Sequence, residues 1–270
     1  KELIEEIERQ SKLLASELNV IGLMNIQYAI QKNNIYVLEV NPRASRTVPF
    51  VAKSSGIQLA KLATKIIMGK SLKDFDNLVS YKKLPFYSVK EPVFPFKKFQ
   101  NVDVLRGPEM RSTGEVMGID KDFLSAFAKS QISAGINLPL EGKVFLSVKD
   151  KDKEELIPIA KKLTELGFKL IGTSGTTSYL KNNNIFIDKI NKISEGSPHI
   201  VDLLNSKEIN LVINTTEGKT SMGDSYVMRR NTLTSNIPYY VTIKGASAAV
   251  NSIERLKKSN LMVRSLQSIH

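Results

Sequence analysis

The chain has 270 residues, 41% of them hydrophobic, enough for one large core or two ordinary ones, and its 39 Lys and Arg outweigh 27 Asp and Glu to give a formal net charge of +12. Cysteine is absent, which excludes disulfides, thiolate nucleophiles and thiolate-bound zinc; with only His199 and His270 to offer imidazole, a metal here would be a hard cation held by oxygen. No apolar run approaches the roughly 18 residues of a spanning helix and no signal peptide opens the chain, so no membrane is expected; the positive charge is scattered, with no zinc finger, aromatic RNA-binding strand or dense basic block, so no nucleic acid is expected either.

Leu3, Ile4, Ile7, Leu14 and Leu18 recur at helical spacing and predict a helix to about Leu18. That pattern is already running at Lys1, without an initiator methionine, which reads as a fragment. Two β-rich runs, Val20–Ile30 and Ile35–Val40, flank polar Lys32-Asn33-Asn34 and predict a hairpin. A second helix is expected from Gln58 to Met68, with Leu59, Leu62, Ile66 and Ile67 on one stripe and Gly69 as its stop. Pro85, Pro92, Pro95 and Pro108 then punctuate a turn-rich stretch to Gly118 in which Phe86–Val89 and Gly114–Met117 suit short strands. Asp120 is expected to cap a helix reaching about Ile132, and Ala134-Gly135-Ile136-Asn137 reads as a linker.

Beyond the linker, short apolar strands alternate with helices: Val144–Val148, Glu154–Leu166, Phe168–Ile171, Thr176–Lys181, Ile185–Ile187, Leu211–Ile213, Tyr239–Ile243 and Ala246–Leu256. This rhythm predicts a parallel sheet wrapped by helices, with ligands at the carboxyl ends of its strands. Pro158 predicts a kink in the first of these helices, or a start nearer to it than Glu154.

The hairpin carries the first candidate chemistry. A turn centred on Asn33 sets Gln27 opposite Glu39, and strand alternation puts Asn41 on the same face. One carboxylate and two amide oxygens suit Mg²⁺, while Arg43 and Arg46, immediately downstream, offer planar forks for phosphoryl oxygens. Spacing alone leaves an amphipathic hairpin with a polar solvent face as an equal alternative. In the distal half, Ser147 with Lys149 and Lys153, Thr173-Ser174-Gly175-Thr176-Thr177, and Asn214-Thr215-Thr216-Glu217-Gly218 each follow a predicted strand. Hydroxyls, backbone N–H groups and lysine are what a phosphate ester requires, although Ser, Thr and Gly are also ordinary turn and cap residues.

The run Glu39-Val40-Asn41-Pro42-Arg43-Ala44-Ser45-Arg46-Thr47-Val48-Pro49-Phe50 resembles the terminal signature of ATP-grasp enzymes, and its long form resembles the carbamoyl-phosphate synthetase family. The resemblance continues through Tyr87–Glu91 and Gly107–Gly118 into the distal half. It implies a mixed α/β and α+β chain. Residues 1–134 would be the C-terminal part of an ATP-grasp carbamate-phosphorylating domain, an antiparallel sheet with helices; 135–270 would be a Rossmann-like, methylglyoxal-synthase-like parallel α/β allosteric domain.

By that resemblance Gln27, Glu39 and Asn41 hold Mg²⁺ or Mn²⁺ bridging the phosphates of ATP, and Arg43 and Arg46 hold the transferring phosphoryl group or its acceptor. Ser147, Lys153, Thr173, Thr176, Lys192, Asn214, Thr215 and Thr216 would line a pocket for UMP or IMP, with Lys192 inside the family-like stretch Asn191–Ile200. Glu91 and Tyr239 would serve an ornithine response; Val241 stands where the resemblance places a threonine, with Thr242 adjacent. His199 reads as a capping or structural residue, because no paired carboxylate is apparent nearby in sequence.

The resemblance further implies a cytoplasmic, oligomeric ligase with three kinds of partner: the upstream ATP-grasp portion of the large subunit, a small glutaminase subunit, and an allosteric nucleotide. The nucleotide-covering glycine-rich loop would lie upstream of Lys1, so these residues alone are expected not to turn over. A stand-alone nucleotide-sensing module is the competing expectation, and a different ATP-grasp ligase is disfavoured by the distal half.

Overall fold

A computed structural model describes residues 1–75, 84–93, 114–215 and 219–269. The motif residues 107–113, Pro95 and Thr216 lie outside these. The chain forms two compact units, residues 1–85 with 264–270, and residues 86–263.

The first unit opens with α1 (Glu2–Glu17), followed by β1 (Asn25–Gln31) and β2 (Asn34–Asn41), which pair antiparallel as expected. Residues 20–24, included in the expected first strand, do not join it. The loop is Lys32-Asn33, both at positive φ (49° and 67°), the form a two-residue hairpin turn requires. Tyr28 ties the hairpin to α1, its hydroxyl 2.9 Å from Ser11 Oγ. Next come α2 (Val48–Ser55), which begins at the end of the Pro- and Arg-bearing motif with Pro49 in its first turn, and α3 (Leu59–Ile67), close to its expected span. Among the described residues, Ala63 is the one buried apolar side chain of this unit, while Ile4, Ile21, Leu38, Ile67 and Met68 are exposed.

The second unit begins with β3 (Tyr87–Val93) and β4 (Gly114–Asp120), an antiparallel pair longer than expected. Pro92 is tolerated because each strand of a two-stranded sheet is an edge. Against this pair lies α4 (Phe123–Ser133). A Cβ on Gly118 would collide with the Ala126 carbonyl and the Ser130 amide of α4, so glycine lets helix and strand backbones approach closely. Asp122, not the expected Asp120, caps α4 by accepting from Ser125 N at 2.8 Å. Asp120 ends β4 instead and pairs with Lys129 at 2.7 Å. Burial raises its carboxyl, but hydrogen bonding to Lys129 and Lys121 holds it below its ordinary value.

The rest is α5 (Lys153–Glu165), α6 (Ser174–Asn182), α7 (Ile200–Asn205), α8 (Lys219–Thr234) and α9 (Ile243–Lys258) around a parallel sheet ordered β7-β6-β5-β8-β9. Its strands are β5 (Lys143–Ser147), β6 (Lys169–Gly172), β7 (Asp188–Lys189), β8 (Ile209–Asn214) and β9 (Tyr239–Tyr240). Neighbours in β5 face different cores: Val144 and Leu146 pack with Leu163, Leu180 and Ile253, whereas Phe145 packs with Ile200, Leu204 and Met228. A sheet covered on both sides explains why its strands read as continuous apolar runs.

Ile185 and Ile187 are buried, but pairing with β6 begins only at Asp188, so the expected strand is displaced. Helices α7 and α8 were not foreseen. Pro158 sits inside α5, which nevertheless starts at Lys153, because burial of Leu156, Ile159, Ala160 and Leu163 secures the helix on both sides of it.

Helix α5 is clamped to α9 by Lys162, which donates to Asn251 Oδ1 at 2.6 Å and to Glu254 Oε2 at 2.8 Å. Hydrogen bonds from Lys162 and Lys258 hold the Glu254 carboxyl at about 2, well below 4.5. A depressed carboxylate contributes stability above its unfolded value and loses it as pH falls toward its folded one. Denaturant midpoints of the wild-type chain should therefore decline between about pH 4.5 and about pH 2 more steeply than those of Glu254→Gln; parallel profiles would refute the clamp.

Candidate functional site

In the first unit the candidate cluster lies on β2 and the turn after it. Asn41 Nδ2 donates to Glu39 Oε1 at 3.0 Å, Arg43 Nη2 reaches Asn41 Oδ1 at 3.5 Å, and Arg43 Nη1 donates to the Ala44 carbonyl at 3.1 Å. Gln27 pairs with Glu39 across the hairpin, for a reason the sequence reading did not contain. The two-residue turn by itself would set Gln27 opposite Leu38. A bulge shifts the register between Gln27 and Tyr28, leaving Leu38 unpaired and restoring Gln27 to Glu39.

Glu39 and Gln27 are exposed on this strand pair, as are Arg43 and Arg46 on the segment that leads from β2 into α2. Hard oxygen donors of this kind fit a divalent cation such as Mg²⁺. Among the described residues no three His, Cys, Asp or Glu cluster for a metal, so the amide oxygens of Gln27 and Asn41 would have to supplement the Glu39 carboxylate. For Asn41 this means directing its oxygen away from Arg43.

In the second unit Ser147, Lys153, Thr173, Thr176, Asn214 and Thr215 gather at the carboxyl edge of the parallel sheet. The chain leaves β5 for β6 and β7 on one side, then returns to β8 on the other, so the edge beside β5 is a topological switch point. Ser147 Oγ and Thr173 Oγ1 are 3.1 Å apart; Thr176 Oγ1 accepts from Val148 N at 3.1 Å; Thr215 Oγ1 accepts from Lys149 N at 3.2 Å. Thr173 N-caps α6 by position without using its side chain, so the first turn of α6 presents N–H groups toward this edge. Lys153 stands there too: a Cβ on Gly175 would lie 3.6 Å from its Nζ.

Lys192 is on the loop after β7, exposed, with its backbone N–H donating to Glu195 at 2.9 Å. Among the described residues its ammonium forms no ion pair with those around Lys153. Asn214 donates to the Tyr239 hydroxyl at 2.7 Å. Burial raises the Tyr239 hydroxyl, opposed by the Asn214 hydrogen bond and the nearby Arg229 charge.

Three partners went unrecognised in sequence. His199 does face a carboxylate: Nδ1 is 3.3 Å from Asp202 Oδ2, which also accepts from His199 N at 2.9 Å in a capping box. Ser197, the His199 N–H and the imidazole together keep Asp202 below its ordinary value, while His199 holds the N-cap position of α7 without a side-chain hydrogen bond to the helix. Asp150 pairs with Lys153 at 2.7 Å, again at a three-residue spacing that was legible. The tyrosine influenced by Glu91 is Tyr240 rather than Tyr239: burial raises its hydroxyl and the Glu91 charge adds to the effect, while the hydroxyl donates to Gln131 Oε1 at 3.0 Å. That grouping joins β3, α4 and β9 and has no local signal. Thr242 spends its hydroxyl capping α9 through Gly245 N.

Residues 1–75 match the family described as carbamoyl-phosphate synthase L chain, ATP binding domain, and residues 155–241 match the MGS-like domain. The carbamoyl phosphate synthase large chain of Mesorhizobium japonicum is 51% identical over 98% of this chain and 23% of its own length. The proteins named carbamoyl phosphate synthase large chain, C-terminal section, of Aquifex aeolicus and Methanocaldococcus jannaschii are 47% and 48% identical over 100% of this chain, and 54% and 45% of their lengths are covered. The chain thus spans about a quarter of a full-length relative and about half of a C-terminal section.

Thr176 has a structural duty whatever binds at the edge, since it is the acceptor for a buried backbone N–H. Thr176→Val should orphan Val148 N and destabilise the fold by about 1–3 kcal/mol, read from the denaturant midpoint without ligand. An unchanged midpoint would show that the bond contributes nothing.

Proposed function

We propose, on the premise that the chain is homologous along its full length to the C-terminal portion of carbamoyl phosphate synthase large chains, that it supplies two working parts of such an enzyme. The first is part of an ATP-dependent site that phosphorylates carbamate to carbamoyl phosphate. The second is a nucleotide-responsive regulatory pocket. In this reading 1–134 ends the ATP-grasp domain and 135–270 is the allosteric domain.

The observation that carries the catalytic reading is the unbroken side-chain chain Glu39–Asn41–Arg43 on one face of the hairpin, with Gln27 opposite. A carbamate oxygen attacks the γ-phosphorus, the bond from that phosphorus to the β,γ-bridging oxygen breaks, and ADP departs. Mg²⁺ or Mn²⁺ held by Gln27, Glu39 and Asn41 would neutralise charge on the phosphate oxygens. Arg43 and Arg46 orient the phosphoryl group and its acceptor through planar N–H forks; no protein nucleophile is needed, because positioning and charge neutralisation supply the catalysis.

The exposed apolar side chains of the first unit, with so little of its own core, favour a complementary ATP-grasp segment as its immediate partner. Bicarbonate and glutamine-derived ammonia, delivered with a glutaminase subunit, would supply the carbamate. The product would serve pyrimidine and arginine synthesis in the cytoplasm, from an oligomeric enzyme. Among the described residues no helix is long and apolar enough to cross a membrane.

Glu39 is the only formal negative charge among the three cation ligands. Glu39→Gln in the complete enzyme should abolish ATP synthesis from carbamoyl phosphate and ADP while leaving the circular dichroism spectrum unchanged; wild-type activity would remove the assignment.

For the regulatory pocket, UMP or IMP should bind the chain in isothermal titration. Lys192→Ala should weaken binding about tenfold to a hundredfold, since a hydrogen bond to a charged group contributes about 1.5–3 kcal/mol. Thr173→Ala and added salt should weaken it too. Absence of binding at millimolar nucleotide to a folded chain would end the sensor reading.

A further inference from the structure

The Lys153 ammonium is already engaged at the edge of the parallel sheet. Asp150 Oδ1 lies 2.7 Å from Nζ, the Tyr179 ring centroid lies 5.7 Å away, and Gly175 brings the first turn of α6 alongside. The two partners differ sharply in setting. The Lys153 side chain is 17% exposed and fixed at the start of α5, whereas that of Asp150 is 95% exposed on a short 3-10 turn. An exposed carboxylate can return to water at little cost, while a lysine pinned between an aromatic face and a helix N-terminus stays where it is.

We propose that Asp150 is an internal stand-in for the ligand's phosphate: it occupies Lys153 in the free chain and must be displaced when a phosphate monoester enters, so it sets the affinity of the pocket. This rests on the reading of the sheet edge as a phosphate-ester site. Two anions compete for one ammonium. The carboxylate gives one charge and a few lone pairs, whereas a phosphate brings up to two charges and three oxygens that can also accept from the α6 N–H groups. The exchange therefore runs forward for phosphate esters and not for ligands carrying a single carboxylate. Hydrogen bonding to Lys153, followed by its charge, holds the Asp150 carboxyl below its ordinary value, so the competitor stays ionised at neutral pH. The same loop supplies a control in Lys149 and Asp152, a looser pair at 3.9 Å.

The test is isothermal titration of the whole 270-residue chain with UMP and, separately, with inorganic phosphate. Asp150→Asn should bind both about two- to fivefold more tightly than wild type, the range expected for losing one exposed ion pair. Asp150→Glu should resemble wild type, and Asp152→Asn should change binding little. In a Lys153→Ala background the gain from Asp150→Asn should vanish, because the two residues act through one contact.

Equal or weaker binding by a folded Asp150→Asn variant, with wild-type binding intact, overturns the competitor and leaves the pocket reading standing. The same gain with Lys153→Ala overturns it as well, since Asp150 would then act only through its general field. So does a gain for UMP alone, which would set Asp150 against the nucleoside. Failure of both wild type and Asp150→Asn to bind either probe brings down the pocket and the competitor together.

Discussion

The distal half depends on burial of β5 on both faces. A strand between β6 and β8, with Val144 and Leu146 turned to one core and Phe145 to the other, cannot slip by a residue without exchanging its side chains between the two cores. Its end is fixed accordingly. Thr215 N donates to the Ser147 carbonyl at 3.0 Å, Lys149 N donates to the Thr215 carbonyl at 3.1 Å, and Thr173 meets the Ser147 hydroxyl. The loops that present hydroxyls at the switch point are thereby located to within a hydrogen-bond length by the core beneath them.

Hydroxyl groups at this edge serve the protein as well as any ligand. Thr176 and Thr215 accept from backbone N–H groups, and Ser147 and Thr173 hold each other. Each hydroxyl can still offer its hydrogen or a remaining lone pair, so the edge is ordered by the protein's own hydrogen bonds. Electrostatics follows the same economy: the charged side chains Lys153 and Asp202 each find a partner within three residues, so the polar framework of the loops is largely self-contained.

The proximal half works differently. Its chemistry is concentrated on one hairpin, where neighbouring side chains are brought together by pleat and register alone. Among its described residues the surrounding unit buries one apolar side chain, Ala63, and apolar burial is the main source of tertiary stability. Local geometry is thus enough to arrange Glu39, Asn41 and Arg43.

The sequence by itself determined the features with short-range causes. Period and turn residues placed the hairpin, α3, α5 and the alternating distal elements, and the Glu39–Phe50 run pointed to the carbamoyl phosphate synthase large chains, one of which is 51% identical over 98% of this chain. Tertiary structure alone decided the rest. Gln27 opposes Glu39 only because of the Leu38 bulge. Asp122 rather than Asp120 caps α4, because Lys129 engages Asp120 from the next turns of the helix. The Tyr240 hydroxyl of β9 reaches Gln131 of α4 and feels the Glu91 charge of β3, and β7 pairs from Asp188 although the apolar signal ends at Ile187. The division is physical: periodicity and capping are energies between residues a few positions apart and leave a trace in the order of the chain. Register shifts, helix docking and cross-element pairs are settled by contacts between residues tens of positions apart, which no local pattern encodes.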